Sequence, residues 1–351
     1  MKNKINMKIM APFIAILITF AISLVLFPVV KGAVKDLPIT VVSLDQGVTT
    51  PQGEVNLGPK VVAGITAKLE AAMASQARAP IKVIEITNQK MLDNAFKDRD
   101  IYAAIVIPKD FTALQLAGET PAIKVIIDEG QSKAIATVLS TLLTSLSSKS
   151  EVPLTMEYLH KVDSDMSNGN ANMYAFMLAW IATQVCSIVL ARGFQDERAQ
   201  TIASKIKQIS MAAVTAIVIA ASVTFILKYE FSLGIEFGTT FGYLSIAVFC
   251  LMMLILGVMS WSFIGGLIIF VLLMLLGLVA SNMPYEILPT FWQNYVYPWI
   301  PMRFMSDGIK EIFYLDGGVW NTGTKALIWF GTGGILLTFL AVLKGKREQQ
   351  S

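Results

Sequence analysis

The sequence predicts a polytopic α-helical membrane protein of six transmembrane helices, with an extracytoplasmic α/β domain inserted between helices 1 and 2. Three observations carry this. Residues 238 to 283 contain no charged side chain, and a crossing takes about 20 apolar residues, so this run is long enough for two. Only 15% of the 351 residues are charged and 54% are hydrophobic, against about 25% charged in a soluble globular chain. Between residues 31 and 170, short β-branched runs alternate with segments of helical periodicity, a pattern that no membrane span shows.

The elements follow in order. Lys2, Lys4 and Lys8 precede an apolar run from Ile9 to Val30. It is longer than the roughly 7 to 15 apolar residues of a signal peptide and ends at Lys31 rather than at a small-residue cleavage site. Residues 1–30 therefore read as a cytoplasmic N-terminus and an uncleaved first helix.

In the domain at 31–170, Ile39–Leu44, Ile81–Ile86, Ile101–Ile107 and Ile123–Ile127 are β-branched runs bounded by Pro, Asp or Gly, hence strands. Ile101–Ile107 is apolar on both faces, which suits the interior of a sheet covered on both sides. Val62, Ile65, Leu69 and Met73 fall at helical spacing, as do Ile135, Val138, Leu139, Leu142, Leu143 and Leu146. An extended stretch, Val152–Val162, leads back through a polar linker, Ser164–Asn170.

Residues 171–351 supply helices 2 to 6. The spans are Ala171–Ala191, Gln208–Leu227, two from the uncharged run with their turn at Ser260, Trp261 and Ser262, and Ala326–Leu343. The short basic segments are the N-terminus, the loop 192–207 with Arg192, Arg198, Lys205 and Lys207, and the tail with Lys344, Lys346 and Arg347. Six crossings place all three on one side, and the positive-inside rule makes that side the cytoplasm. The chain then reads as a multi-pass protein of the plasma membrane with both termini cytoplasmic. Residues 31–170 hold 14 basic against 16 acidic residues, so the formal charge of +3 comes from the rest of the chain. A net charge this small gives no reason to expect a nucleic-acid partner.

The segment 282–324 is rich in rings that settle at headgroup depth, among them Trp292, Tyr295, Tyr297 and Trp299. Arg303, Asp307, Lys310 and Glu311 interrupt them at helical spacings. Two readings stand: an amphipathic helix lying on the outer surface, or a re-entrant element that gates a path to the outside. In the second, Trp292, Trp299, Pro301, Arg303, Asp307 and Lys310 form the external gate.

The chemistry that is missing narrows the function. No charged or histidine side chain falls inside any expected crossing, which disfavours proton-coupled pumping. One histidine, His160, and two membrane cysteines, Cys186 and Cys250, cannot assemble a zinc cluster, and no catalytic, metal-binding or cofactor-binding constellation is seen. G-V-W-N-T-G-T-K at Gly318–Lys325 approaches a phosphate-binding loop but fails on residue order. No cofactor is expected on this chain, and energy for any work has to come from a partner. The loop 192–207 is where a partner could act. Ile202 and Ile206 share one face, and Arg198 and Lys205 fall on another. This is either a solvated connector or a coupling helix built from Phe194, Arg198, Ile202, Lys205 and Ile206.

Several motifs now combine: L-P-I-T-V-V-S-L-D-Q-G at Leu37–Gly47, V-N-L-G at Val55–Gly58 and I-Y-A-A-I-V-I-P-K-D-F at Ile101–Phe111. I-I-D-E-G at Ile126–Gly130 and P-W-I-P-M-R-F-M-S-D-G-I-K at Pro298–Lys310 follow. In this order they resemble the ABC type-2 transporter permeases, in the YhgE/Pip-like (phage infection protein) branch. The external domain is shorter than in the long phage-receptor members, and the entry to helix 2 reads S-N-G-N-A-N-M-Y. The resemblance implies a homodimeric permease in contact with membrane lipids. It would export a hydrophobic or amphipathic substrate such as a lipid, peptide or drug, with ATP bound on a separate cytoplasmic ABC ATPase. The alternative is a non-transporting surface protein, a phage receptor or secretion scaffold, acting through its external domain.

Overall fold

A computed structural model describes residues 36–51, 53–74, 81–147, 153–162, 169–194 and 201–348. The first crossing expected at Ile9–Val30 lies outside them, as does Arg198. The chain divides into two compact units, one of them Val34–Ser164 and the other including Asp165–Ser351, and each is described by itself.

The first unit is built on a mixed five-stranded sheet. Its strands are β1 (Leu37–Ser43), β4 (Ile81–Ile84), β5 (Ala103–Ile107), β6 (Ile123–Asp128) and β7 (Leu154–Leu159), in the order β4-β1-β5-β6-β7. β1 pairs parallel with both β4 and β5, β5 pairs antiparallel with β6, and β6 pairs parallel with β7. Two short strands, β2 (Val48–Thr50) and β3 (Gly53–Val55), form a separate antiparallel hairpin. β5 is central, and all five of its residues are buried. Its alternate side chains feed two cores. Ala103, Ile105 and Ile107 pack with Leu69 of α1 (Gly58–Ala74) and with Ile135 and Leu139 of α4 (Lys133–Ser147). Ala104 and Val106 pack with Leu92 and Phe96 of α2 (Gln89–Lys97) on the other face. The expectation of a sheet covered on both sides is met.

Three of the motifs that carry the family resemblance, at Leu37–Gly47, Val55–Gly58 and Ile101–Phe111, converge around Asp45. Its carboxylate accepts from the backbone N–H of Gly47 at 3.4 Å, of Gly58 at 3.1 Å and of Thr112 at 3.1 Å, and from the Thr112 hydroxyl. That hydroxyl in turn accepts from Leu57 N–H at 2.9 Å. One side chain after β1 thus holds the starts of α1 and of α3 (Phe111–Leu116), helix ends whose first N–H groups need acceptors. Gly58 is required by close approach, since a Cβ there would lie 2.8 Å from that of Asp45.

Burial raises the Asp45 pKa, but the hydrogen bonds from Thr112, Gly47 and Gly58 outweigh it and hold the carboxyl below its ordinary value. A depressed folded pKa means that the contribution is complete above about pH 4 and is lost as pH falls through the folded value. Asp45→Asn is expected to cost this unit about 1–3 kcal/mol at pH 7. It should also remove part of the acid limb from a plot of unfolding midpoint against pH, which scanning calorimetry of the full chain would read.

His160, with a φ of 46°, places Nδ1 3.0 Å from the buried Asp128 carboxylate. That carboxylate also accepts from Gly130 N–H at 3.0 Å and from the Gln131 amide at 3.0 Å. The histidine fixes the end of β7, in keeping with the structural role expected of it.

The second unit is a helical bundle. Its helices are α5 (Ala171–Gly193), α6 (Ile202–Phe225, extended by a wider turn to Glu230), α7 (Phe237–Met259), α8 (Phe263–Asn282), α9 (Pro301–Tyr314) and α10 (Thr322–Glu348). Five are long and apolar enough to cross a membrane, and the expected pair at 238–283 is α7 and α8, turned by Ser260–Ser262. Small side chains recur at every fourth position on the buried faces of α5 and α6. Ala171, Ala175, Ala179, Thr183, Ser187 and Ala191 are buried in α5, and Ala212, Ala216 and Ala220 in α6, which permits close helix approach in lipid. The opposite face of α5, with Ile181, Val185 and Val189, is exposed and apolar, suited to acyl chains.

Candidate functional site

The centre of the bundle is α7, the most deeply buried of the five long helices. It meets α10 backbone to backbone. A Cβ on Gly257 would lie 2.5 Å from the carbonyl oxygen of Gly334, and one on Gly331 would lie 2.9 Å from the Cα of Cys250. Gly331 and Gly334 fall one turn apart, so the two glycines form a flat strip on α10 into which α7 settles.

At the end of the bundle where α8 stops and α10 begins, α9 is wedged among the helix ends. The Tyr243 hydroxyl of α7 donates to the carbonyls of Phe304 at 3.0 Å and Met305 at 2.9 Å, and its ring lies over Gly308. Ser306 donates to the carbonyl of Ser281 in α8 at 2.8 Å. The Asn321 amide donates to Gly308 O at 3.1 Å, and its oxygen caps α10 by accepting from Thr324 N–H at 2.9 Å. Tyr314 Oη accepts from Asn172 N–H at the start of α5, at 3.3 Å, and burial pushes the phenol up to about 12. α9 is thereby tied to α5, α7, α8 and α10. It does not lie on the surface as a free amphipathic helix, because Ser306, Tyr314 and the carbonyls of Phe304, Met305 and Gly308 are bonded to its neighbours.

The opposite end carries a buried lysine. Lys205, 3% exposed, sits on the first turns of α6 and donates from Nζ to Ser260 Oγ at 3.1 Å and to Gln208 Oε1 at 3.3 Å. Ser260 passes a bond on to Leu256 O at 2.8 Å. A cavity of about 20 Å³, room for one water molecule, lies beside them and is lined by Phe194, Lys205, Gln208, Ser260 and Phe263 among others. Arg192 lies over the Phe263 ring at 5.7 Å.

The profile of a family described as ABC-2 family transporter protein matches residues 7–343. The chain belongs to the ABC-2 transporter family. It is accordingly a multi-pass membrane protein of a family of transport permeases, which generally work with an ATPase partner and are not themselves enzymes. No curated protein and no solved structure matches it.

In this ABC-2 permease the described residues of the expected coupling set, Phe194, Ile202, Lys205 and Ile206, do not share one face. Thr201 caps a helix that starts at Ile202 and runs through Phe225, so the helix begins six residues ahead of the span expected at Gln208. No Gly or Pro interrupts it, so the loop's last turns and the span are continuous. Ile202 and Ile206 fall on a different face from Lys205, as their spacing predicts. Ile202 and Ile206, 56% and 53% exposed, point out, and Lys205 points in. A charged group therefore does lie within a candidate span. Phe194 closes α5 and lines the cavity.

Of the residues expected at the other end, Trp292 and Pro301 are buried, with Pro301 in the first turn of α9. The Arg303 guanidinium packs 4.2 Å from the ring centres of both Tyr297 and Phe304, a cation–π clamp. Asp307 and Lys310 are half-buried, and Trp299 is exposed. Gly318–Lys325 is the capped start of α10 rather than a phosphate loop. The sequence reading missed Tyr243, Ser260, Gly308 and Asn321. Ser260 had a signal as a polar break in an uncharged run, and Gly308 and Asn321 lie in the quoted stretches Pro298–Lys310 and Gly318–Lys325.

Proposed function

We propose that the chain is the permease subunit of an ATP-driven exporter. It works as a homodimer with a separate cytoplasmic ABC ATPase and moves a hydrophobic or amphipathic substrate such as a lipid, peptide or drug out of the cell. The observation that carries this is the family match, which extends across both units from residue 7 to residue 343. The ordered motifs support placement in the YhgE/Pip-like branch. Basic residues in the N-terminus, the 192–207 loop and the tail support cytoplasmic termini and an α/β unit outside the cell. Residues 9–30 complete six crossings, 192–207 is the segment that meets the ATPase, and the α9 region forms the external gate.

Co-purification tests the reading. The chain, gently solubilised from its native membrane, is expected to bring down an ABC ATPase, and Arg198→Glu to weaken that association. A complex with no ATPase, together with transport unaffected by ATP depletion, would overturn the proposal. If binding to the cell surface survives Arg198→Glu and is lost on deleting Lys35–Asp163, the surface-protein reading replaces it.

A further inference from the structure

Burying an ammonium group costs several kcal/mol before its hydrogen bonds are counted, and an ionisable side chain in a membrane helix marks function more often than packing. Lys205 is such a group, and its position is specific. It lies in the first turn of α6, directly after the segment that joins α5 to α6. It holds Ser260, the residue that closes α7. Ser260 is bonded to Leu256, and the neighbouring Gly257 is in contact with Gly334 of α10. About 21 Å further along α7, at 1.5 Å per residue over the fourteen residues back to Tyr243, the same helix is bonded into α9. α6 is unbroken from Ile202 to Phe225, and Lys205 on its first turn is bonded to the end of α7. The cavity beside the ammonium gives Nζ room to leave Ser260 without a steric clash.

We propose that Lys205 is a positioning residue of the transport cycle, a pin that locks α6 to the α7–α10 pair through Ser260 and is withdrawn when the α5–α6 segment is driven by its partner. This rests on the ATP-driven reading for the driving step only. The pin itself is tested without a partner.

The experiment is hydrogen exchange on the full chain in lipid nanodiscs. Lys205→Met keeps the stem and its packing but removes the donors. If the residue only fills space, Lys205→Met leaves the amides of 257–262 as they were. As a pin, Lys205→Met is expected to speed their exchange about 10-fold, Ser260→Ala to do the same, the double variant to add nothing further, and Lys205→Arg to restore protection. Exchange within twofold of wild type in Lys205→Met, or additive effects in the double variant, overturns the pin.

With a co-purified ATPase, ATP is expected to change exchange at 257–262 in the wild type and not in Lys205→Met. An equal response in both, or a response in neither, overturns its role in the cycle. If no ATPase co-purifies, the ATP-driven reading falls, and the Lys205–Ser260 lock is judged by the first comparison alone.

Discussion

Gly257→Leu is expected to leave almost no folded, monodisperse protein. Where α7 crosses α10 the atoms in contact are main chain on both sides, with the carbonyl of Gly334 2.5 Å from where a Cβ on Gly257 would stand. A side chain introduced there cannot be accommodated by a rotamer change in its neighbour. It must drive α7 and α10 away from each other along their whole line of contact. Overpacking a core ordinarily costs about 1–3 kcal/mol, and this site falls at or above the upper end because nothing flexible can yield. Gly257→Ala should already lower the melting temperature. Gly333→Leu is the matched control. It is one residue from Gly334, but a Cβ at Gly333 has no neighbour within 4 Å, so it should be tolerated. Size-exclusion profiles of the detergent-solubilised variants check this, and equal profiles for Gly257→Leu and Gly333→Leu would show the seam to be soft.

Introducing lysine on either face of β5 is the second large effect. Ile105 and Val106 are adjacent, point to opposite sides of the sheet and are both buried. In a sheet with one wet face, one of the two substitutions would be harmless. Here both are expected to unfold the α/β unit, since an unpaired ammonium in a core costs several kcal/mol, a large share of a domain's 5–15 kcal/mol. Thr155→Lys, on the exposed side of edge strand β7, should be silent. Limited proteolysis of membranes distinguishes the cases. Ile105→Lys and Val106→Lys should each lose the protected fragment that corresponds to residues 34–164 while the bundle stays intact.

Most of the bundle and of the sheet was legible in the sequence for physical reasons. Lipid demands long apolar helices, so α7 and α8 announce themselves by the absence of charge, and a strand buried on both faces reads as a continuous apolar run, which identified β5. α2 and α3 were not seen. α2 is short and exposes a strongly polar side, with Asn88 rather than hydrophobic periodicity marking its start through a bond to Met91 N–H at 2.9 Å. Spacing puts Lys205 on a different face from Ile202 and Ile206 but does not say which of the two faces is buried. Ser260, to which its ammonium is bonded, lies 55 residues away in sequence. The glycines of α10 were equally silent, because a glycine in an apolar helix does not reveal which backbone approaches it. The wedging of α9 depends on four partners scattered from Asn172 to Asn321, and the 3.6-residue period of α9 carries no information about them.

The glycine contact between α7 and α10 also limits how cargo could pass. Two helices whose main chains touch enclose no lumen and offer no crevice to a lipid tail or a peptide. The pair is a solid wall, and whatever passes must do so along one side of it. The surfaces left to form a route belong to α5, α6 and α8, of which α5 and α6 bury rows of alanines and other small side chains. Selection for a different cargo would then be recorded in those three helices, while the sequence of the wall stays fixed.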